Sequence, residues 1–190
     1  MSRCNCAIIQ PAKRLPANLV QLRNDINNGA VFDYELFWSG SPFSQWHHKG
    51  FTLDGVAYPT AENYMMAEKA RLFGDRATLD KILAARQPKD VKQLGRQVRG
   101  FDAAIWDANK LAIVLTGNMA KVNQNIGIKE CLLATYDRIL VEASPYDAVW
   151  GIGLDCSHKY VCNPIKWRGQ NLLGFILTTI KMQIRKKESI

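Results

Sequence analysis

The sequence lacks any long apolar run. No segment of the 190 residues approaches the roughly 20 consecutive apolar residues of a membrane-spanning helix, and the N-terminal stretch MSRCNCAIIQPAKR contains nothing resembling the apolar core of a secretory signal. We therefore expect no membrane partner and a cytoplasmic location. Apolar residues make up 47% and charged residues 22% of the chain, which excludes disordered and fibrous classes.

Cysteine and histidine are few, and their spacing is wrong for a metal site. The five cysteines form no CxxC pair, and the three histidines are the adjacent His47 and His48 and the isolated His158. Structural zinc sites take four ligands at regular spacing, so we expect reduced thiols, no metal and no cofactor. The cysteines are Cys4, Cys6, Cys131, Cys156 and Cys162.

Basic residues are in excess, with a formal net charge of +8, but they do not form a nucleic-acid groove. Several lie at the end of the last expected helix, where they complement the helix dipole. The rest are scattered, without the interleaving of basic and aromatic residues that single-stranded nucleic acids favour. The positive charge is therefore as compatible with an anionic small ligand as with a nucleic acid.

The hydrophobic pattern predicts one mainly α domain with a small β element. Residues 1–33 are interpreted as an N-terminal extension with one short helix, and residues 34–187 as the functional domain. A strand is expected at Phe37 and Trp38, followed by a hairpin turning at Asp54-Gly55. Helices then follow in series from Thr60, interrupted by a strand in RILVEAS and a helical turn in SPYDAVWGIG.

Glu62 and Lys69 share one face of the helix expected after Thr60. Glu62 falls in the first turn, where the positive end of the helix dipole favours an ionised carboxylate. Lys69 follows two turns later on the same face, so both side chains can line one cavity. The alternative is a solvated pair on an amphipathic helix, and spacing alone favours that alternative.

Asp147 allows two interpretations. With Ser144 as an N-cap and Pro145 next to it, Asp147 takes the third helical position and becomes a capping-box acid. The other interpretation is a catalytic carboxylate.

Two tryptophans and an asparagine are further candidates for ligand binding. Trp106 and Trp150 can stack on a purine, pyrimidine or nicotinamide ring, although tryptophan is as often a core residue. Asn171 begins the last helix, whose free backbone N–H groups can bind a phosphate or ribose hydroxyls. The alternative for Asn171 is a simple N-cap.

Five segments in unbroken order resemble one known family. They are SPFSQW, LDGVAYPTAENYMMAEKA, LGRQVRGFDAAIWD, LVEASPYDAVWGIGL and WRGQNLLGFIL, and the likeness spans roughly residues 34–184. Together they are similar to the NADAR (YbiA-like) family. The resemblance implies a compact multihelical orthogonal bundle and a hydrolase acting on N-glycosyl bonds, which cleaves either phosphoribosylamino-pyrimidine intermediates of riboflavin biosynthesis or ADP-ribose linked to guanine.

The resemblance also implies roles for individual residues. Glu62 and Lys69 match the acidic residue and the lysine of their segments, and together with Asp147 they are the expected catalytic residues. The expected substrate-binding residues are Trp46, Arg96, Trp106, Glu142, Trp150, Gly151 and Asn171. Arg99 is the alternative to Arg96 for binding phosphates bidentately.

The implied chemistry needs a carboxylate near the sugar, because departure of the base leaves an oxocarbenium-like ribose. Glu62 or Asp147 can stabilise that cation and position water, or Lys69 can attack C1 and form a Schiff base. Two alternatives remain: a module that binds ADP-ribose or NAD without cleavage, and an eraser acting on ADP-ribosylated DNA. Residues 1–33 and the long loop LDCSHKYVCNPIKW depart from the family pattern and leave the exact substrate open.

Overall fold

The computed structural model describes residues 15–188. The sequence-based expectations for Cys4, Cys6 and the rest of the first 14 residues lie outside this range. Within it the chain is mainly α with a small β element, as predicted. The helices are α1 (Leu19–Asn27), α2 (Ala61–Leu72), α3 (Arg76–Ala84), α4 (Pro88–Arg96), α5 (Ala103–Gln124), α6 (Ile126–Leu133) and α7 (Leu172–Glu188), with a short 3-10 helix at Pro164–Lys166.

Among residues 15–188, the β element consists of two separate two-stranded sheets. Strands β2 (Phe51–Leu53) and β3 (Val56–Tyr58) form the predicted antiparallel hairpin. Asp54 and Gly55 both have positive φ, at 51° and 75°, as a two-residue hairpin turn requires. The second sheet pairs β1 (Tyr34–Phe37) with β4 (Ile139–Glu142) in parallel, a pairing that the local sequence pattern does not predict.

Helix α2 is the central helix of the fold. The Thr60 side chain accepts a hydrogen bond from the Asn63 backbone N–H and caps the helix, as predicted. Its residues are buried from Ala61 through Ala67, because α3, α4 and α5 all pack around it. A surface helix has one apolar face, whereas α2 is enclosed, so a charged residue in its first turn is forced to be buried.

Strand β4 separates two hydrophobic cores. Leu140 belongs to the larger core with α2, α5 and α7, while Ile139 and Val141 belong to a second core with α1. This alternation is the period of two that any strand imposes on its side chains. Glu142 therefore leaves the end of β4 on the same face as Leu140.

The segment before β1 packs on the loop that precedes α7. Leu22 of α1 is fully buried in the second core. Arg23 donates from Nε to the Pro164 carbonyl at 3.0 Å and from Nη2 to the Trp167 carbonyl at 3.3 Å. The two regions that depart from the family pattern are thus in contact, and the boundary at residue 33 stays a prediction.

The helical turn expected in SPYDAVWGIG is wrong, because this stretch consists of turns and bends. Asp147 therefore caps no helix; its Oδ1 instead accepts from the backbone N–H groups of Val149 at 3.0 Å and Trp150 at 2.8 Å. The short side chain of aspartate can stabilise a turn by accepting hydrogen bonds from the backbone N–H groups that follow it. This local bonding competes with helix formation.

None of the helices between residues 15 and 188 is long and apolar enough to cross a membrane.

Candidate active site

One large cavity, of about 610 Å³, opens where α2, α4 and α5 meet the end of β4. This volume lies within the range of small-molecule sites. Most of the residues nominated from the sequence line it. They are Trp46, Glu62, Arg96, Trp106, Glu142, Asp147 and Trp150, joined by Trp38, Ser39, Ser44, Gln45, Met65, Met66, Lys92, Asp107, Lys110, Ser144, Tyr146, Ala148 and Val149.

Glu62 is a buried carboxylate at the wall of this cavity, with 3% of the residue exposed. Its Oε1 has no hydrogen-bond partner among the described residues. Burial raises the pKa of Glu62 to about 7, and nearby Asp147 raises it further, while the Lys92 and Arg96 charges and the Trp46 indole oppose the shift. Near neutral pH this group can exist in either protonation state, as acid–base catalysis requires.

Glu142 and Asp147 complete a group of three carboxyl groups. Burial raises the pKa of Glu142 to about 8, and the charges of Asp147 and Glu62 add to that effect. Its Oε2 is buried without a partner. Asp147 faces Lys92, whose Nζ lies 3.7 Å from Oδ2. The buried carboxyl groups of Glu62 and Glu142 can therefore each gain or lose a proton near neutral pH.

Three basic side chains line the same cavity, namely Lys92, Arg96 and Lys110. Lys92 pairs with Asp147, and Lys110 pairs with Asp107 at 2.5 Å. Among residues 15–188, Arg96 has no ion-pair partner, so its guanidinium is available to an anion. An arginine that keeps its fork free can take a phosphate or carboxylate bidentately.

Arg99, the alternative phosphate candidate, is placed elsewhere. It donates from Nη2 to Asp75 Oδ1 at 2.8 Å, and from its backbone N–H to Asp75 Oδ2 at 2.9 Å. These bonds hold the pKa of Asp75 well below its usual range. Arg99 does not line the cavity.

Four tryptophans surround the opening: Trp38, Trp46, Trp106 and Trp150. Trp38 and Trp46 are 39% and 41% exposed, which is unusual for this side chain unless a partner covers it. Tyr146 extends the aromatic rim, with its ring centroid 6.1 Å from that of Trp38. Such a rim can enclose a flat base between ring faces.

Lys69 lies beside the cavity rather than on its lining. Its Nζ donates to the Gly95 carbonyl at 2.8 Å and lies 4.1 Å from the Phe101 ring centroid and 5.7 Å from that of Trp106. Partial burial lowers its pKa. Glu62 and Lys69 lie on the same helix as expected, but only Glu62 lines the cavity.

Gly151 and Asn171 support the site from behind. The Asn171 Oδ1 accepts from the Glu142 backbone N–H, and its Nδ2 donates to the Leu140 carbonyl, both at 2.9 Å. The backbone N–H groups of Asn171, Leu172 and Leu173 are taken by the carbonyls of Gly151, Val149 and Trp150. The anion site predicted at this helix start is therefore filled by the protein's own backbone.

Any side chain at position 151 would clash with the backbone around Glu142 and Asp147. A Cβ at this position would lie 2.9 Å from the Glu142 carbonyl oxygen and 3.0 Å from that of Asp147. Gly151 and Asn171 thus fix the backbone that carries both carboxylates.

Sequence reasoning missed several lining residues, above all Gln45, Lys92 and Lys110. Lys92 and Arg96 are four residues apart on α4, so helical spacing alone predicts that they share a face. Gln45 carries no such signal, because its position depends on a loop. Within the described part of the chain, no three His, Cys, Asp or Glu side chains are arranged to hold a metal ion.

Carboxyl groups, cations and tryptophans thus converge on one cavity of a mainly helical fold, an arrangement typical of a small-molecule site. Comparison with known proteins gives the family. Residues 36–185 match the NADAR domain, and the chain belongs to this family.

Curated relatives agree with this membership. An N-glycosidase of Acanthamoeba polyphaga mimivirus is 44% identical over 144 residues, covering 73% of this chain and 85% of the relative. N-glycosidase YbiA of Escherichia coli K12 is 29% identical over 144 residues, covering 76% and 79%.

A solved structure shows the same fold. The NMR structure of E. coli YbiA matches with a TM-score of 0.67 and 23% identity, covering 92% of this chain and 95% of YbiA.

Proposed function

We propose that this NADAR N-glycosidase hydrolyses the bond between ribose C1 and a base nitrogen in a phosphorylated, nucleotide-like substrate. The two substrate classes that the family resemblance suggests are ADP-ribosylated guanine and phosphoribosylamino-pyrimidines. The observation that carries the proposal is the buried Glu62 carboxyl group, whose Oε1 has no hydrogen-bond partner, on a cavity lined by three basic residues. Buried polar groups are normally paired, so one left open marks a place for a ligand.

In the proposed reaction, the C1–N bond breaks and its electron pair goes to the departing nitrogen. The ribose then carries an oxocarbenium-like positive charge, which ionised Glu62 stabilises across the cavity. Water adds to C1 and loses its proton to a carboxylate, for which Asp147 or Glu62 is available. Glu142, protonated by virtue of its raised pKa, supplies the proton that the leaving nitrogen takes up.

The remaining lining residues fit the other parts of such a substrate. Arg96 and Lys92 are the proposed phosphate ligands, since Arg96 has no ion-pair partner within residues 15–188 and Lys92 holds Asp147 only at 3.7 Å. Trp106 and Trp150 are the proposed stacking partners of the base. Trp46 contributes its indole N–H near Glu62 and its ring near Lys92.

A Schiff-base route through Lys69 is a competing mechanism. It requires the Lys69 amine to leave the Gly95 carbonyl and the Phe101 ring and to reach C1 of the sugar. Its lowered pKa favours the free amine. Borohydride added during turnover should leave the protein unmodified if water attacks directly, whereas a sugar adduct on Lys69 would establish the covalent route.

The function is tested by offering purified protein four compounds: a phosphoribosylamino-pyrimidine, guanine-ADP-ribosylated DNA, NAD and ADP-ribose. Released base and sugar are measured by mass spectrometry. We expect release from one of the first two and none from the Glu62→Gln variant. Glu62-independent release would overturn the assignment of Glu62.

Two alternatives make different predictions in the same assay. A binding module would bind ADP-ribose or NAD tightly and release nothing. An eraser of modified DNA would release ADP-ribose from the polymer with a steep salt dependence, because phosphate contacts set its affinity. The exposed Trp38 and the 87% exposed Tyr146 at the rim give the eraser a surface on which a flanking base can stack.

A further inference from the structure

The side-chain amide of Gln45 has a fixed direction. Gln45 is 6% exposed, and its backbone carbonyl accepts the Glu62 N–H at 3.0 Å, which ties it to the start of α2. Asn118 of α5 lies beside it and is 1% exposed. Neither side chain can exchange partners freely with water, so the polarity of each hydrogen bond matters.

The polarity is set by a backbone carbonyl. The Asn118 Nδ2 donates to the Val114 carbonyl at 2.9 Å, and a carbonyl can only accept. The Asn118 amide nitrogen must therefore be on this side. The same Nδ2 donates its second hydrogen to Gln45 Oε1 at 3.1 Å. Gln45 must then keep its oxygen toward Asn118 and turn its nitrogen the other way.

The nitrogen of Gln45 is left without a partner. Gln45 Nε2 is buried and unpaired, and Gln45 lines the cavity. It is one of three such side-chain atoms in the described chain, and the other two belong to the cavity carboxyl groups of Glu62 and Glu142. Two carboxyl oxygens and one amide donor thus remain open at the same site.

We propose that Gln45 determines base specificity by donating from Nε2 to a carbonyl oxygen of the substrate base. This inference rests on the proposed function, because it assigns a recognition role within the same cavity. A base with an exocyclic amino group at that position would place a hydrogen-bond donor against the Gln45 Nε2 donor. Neither group would then have a partner. A site built around a hydrogen bond rejects the analogue that lacks it.

The substrate class that follows is an N-riboside of an oxo-bearing base, either an oxopurine or an oxopyrimidine. Ionised Glu62 only accepts hydrogen bonds and cannot bind a carbonyl oxygen in this way. The Gln45 amide is a neutral donor held at a fixed position, so it complements a carbonyl oxygen whatever the protonation state of Glu142.

Binding is measured with two nucleotides that differ in the base. Calorimetry compares GMP with the monophosphate of 2,6-diaminopurine riboside, which replaces the oxo group by an amino group. We expect wild-type protein to prefer GMP by about tenfold or more. Gln45→Met removes the donor and should abolish the preference, whereas Gln93→Leu, an exposed position outside the cavity, should retain it.

A second variant reverses the polarity without changing the shape. Gln45→Glu keeps an oxygen for Asn118 and presents an acceptor to the cavity, so it should favour the diaminopurine nucleotide. An unchanged preference in Gln45→Met or Gln45→Glu, or equal or undetectable binding of the two nucleotides by wild-type protein, would overturn the inference. A Gln45-dependent preference in a protein that cleaves none of the candidate ribosides would sink the proposed function and leave this inference standing.

Discussion

Buried polar groups have hydrogen-bond partners in the packed interior away from the cavity, whereas some of those at the cavity have none. Lys181 is fully buried, yet its Nζ donates to Thr135 Oγ1 at 2.8 Å and to the Arg138 carbonyl at 2.6 Å. Lys121 is 1% exposed and donates to the carbonyls of Pro42 and Ser44 at 3.1 and 2.9 Å. The carboxyl groups of Glu62 and Glu142 each keep an unpaired buried oxygen.

The buried lysines contribute to stability, whereas the unpaired carboxyl oxygens reduce it. An unsatisfied buried polar atom costs about 1–3 kcal/mol, and a fold keeps it only if something else benefits. The lysines have partners because they hold loops and helix ends together. The open carboxyl oxygens have a use only when a substrate is present.

The largest expected effect comes from removing the charge of the cavity carboxylate. Glu62→Gln should lower kcat by about a thousandfold, since one preorganised electrostatic contact to a transition state is worth that much. Circular dichroism should be unchanged. The matched control is Glu68→Gln, on the same helix but outside the cavity, which should retain full turnover. Comparable losses in both variants would show that α2 has simply been disturbed.

Removing a framework partner should instead affect stability. Asn171→Ala leaves the Glu142 N–H and the Leu140 carbonyl unpaired at a residue with φ of 55°, so the free energy of unfolding should fall by about 3 kcal/mol. Urea denaturation measures this. Asn171→Gly accepts the positive φ and should be destabilised less, by about 2 kcal/mol. If Asn171 only contacted substrate, KM would rise with no change in stability.

The two raised pKa values predict a narrow pH optimum. Activity requires ionised Glu62, so kcat/KM should rise with pH up to about 7, and it requires protonated Glu142, so it should fall above about 8. Each limb changes about tenfold per pH unit. Glu142→Gln should remove the alkaline limb while lowering the maximum. An alkaline limb that persists in this variant belongs to another group.

The last expected effect is a gain in stability. Glu142 has a folded pKa near 8, well above its ordinary 4.5, so the folded state binds more protons and stability declines as pH rises between these values. Glu142→Gln cannot ionise and should be more stable than wild type at pH above 8, with no gain below about 4.5. Thermal unfolding across this range measures the crossover. A constant difference at all pH values would assign the effect to packing.

Local signals in the sequence predicted most of the fold, because its elements carry their own caps and turns. Thr60 caps α2, Gly74 follows its end with φ of 69°, and Asp54-Gly55 turns the hairpin. The parallel pairing of Tyr34 with Ile139 joins positions with no shared local pattern, so no local signal could indicate it. Local sequence also could not show that Lys69 lies off the cavity lining. Helix α2 is enclosed, so the packing of the neighbouring helices decides which of its faces meets the cavity.

Strand β4 also restricts where insertions and deletions can occur in this protein. Its residues alternate between two cores, with Ile139 and Val141 on one side and Leu140 and Glu142 on the other. A one-residue insertion before Leu140 would exchange the two sides, sending the Glu142 carboxyl group into the apolar core against α1. Length variants should therefore accumulate in the loop between residues 154 and 167 and be absent within the strand.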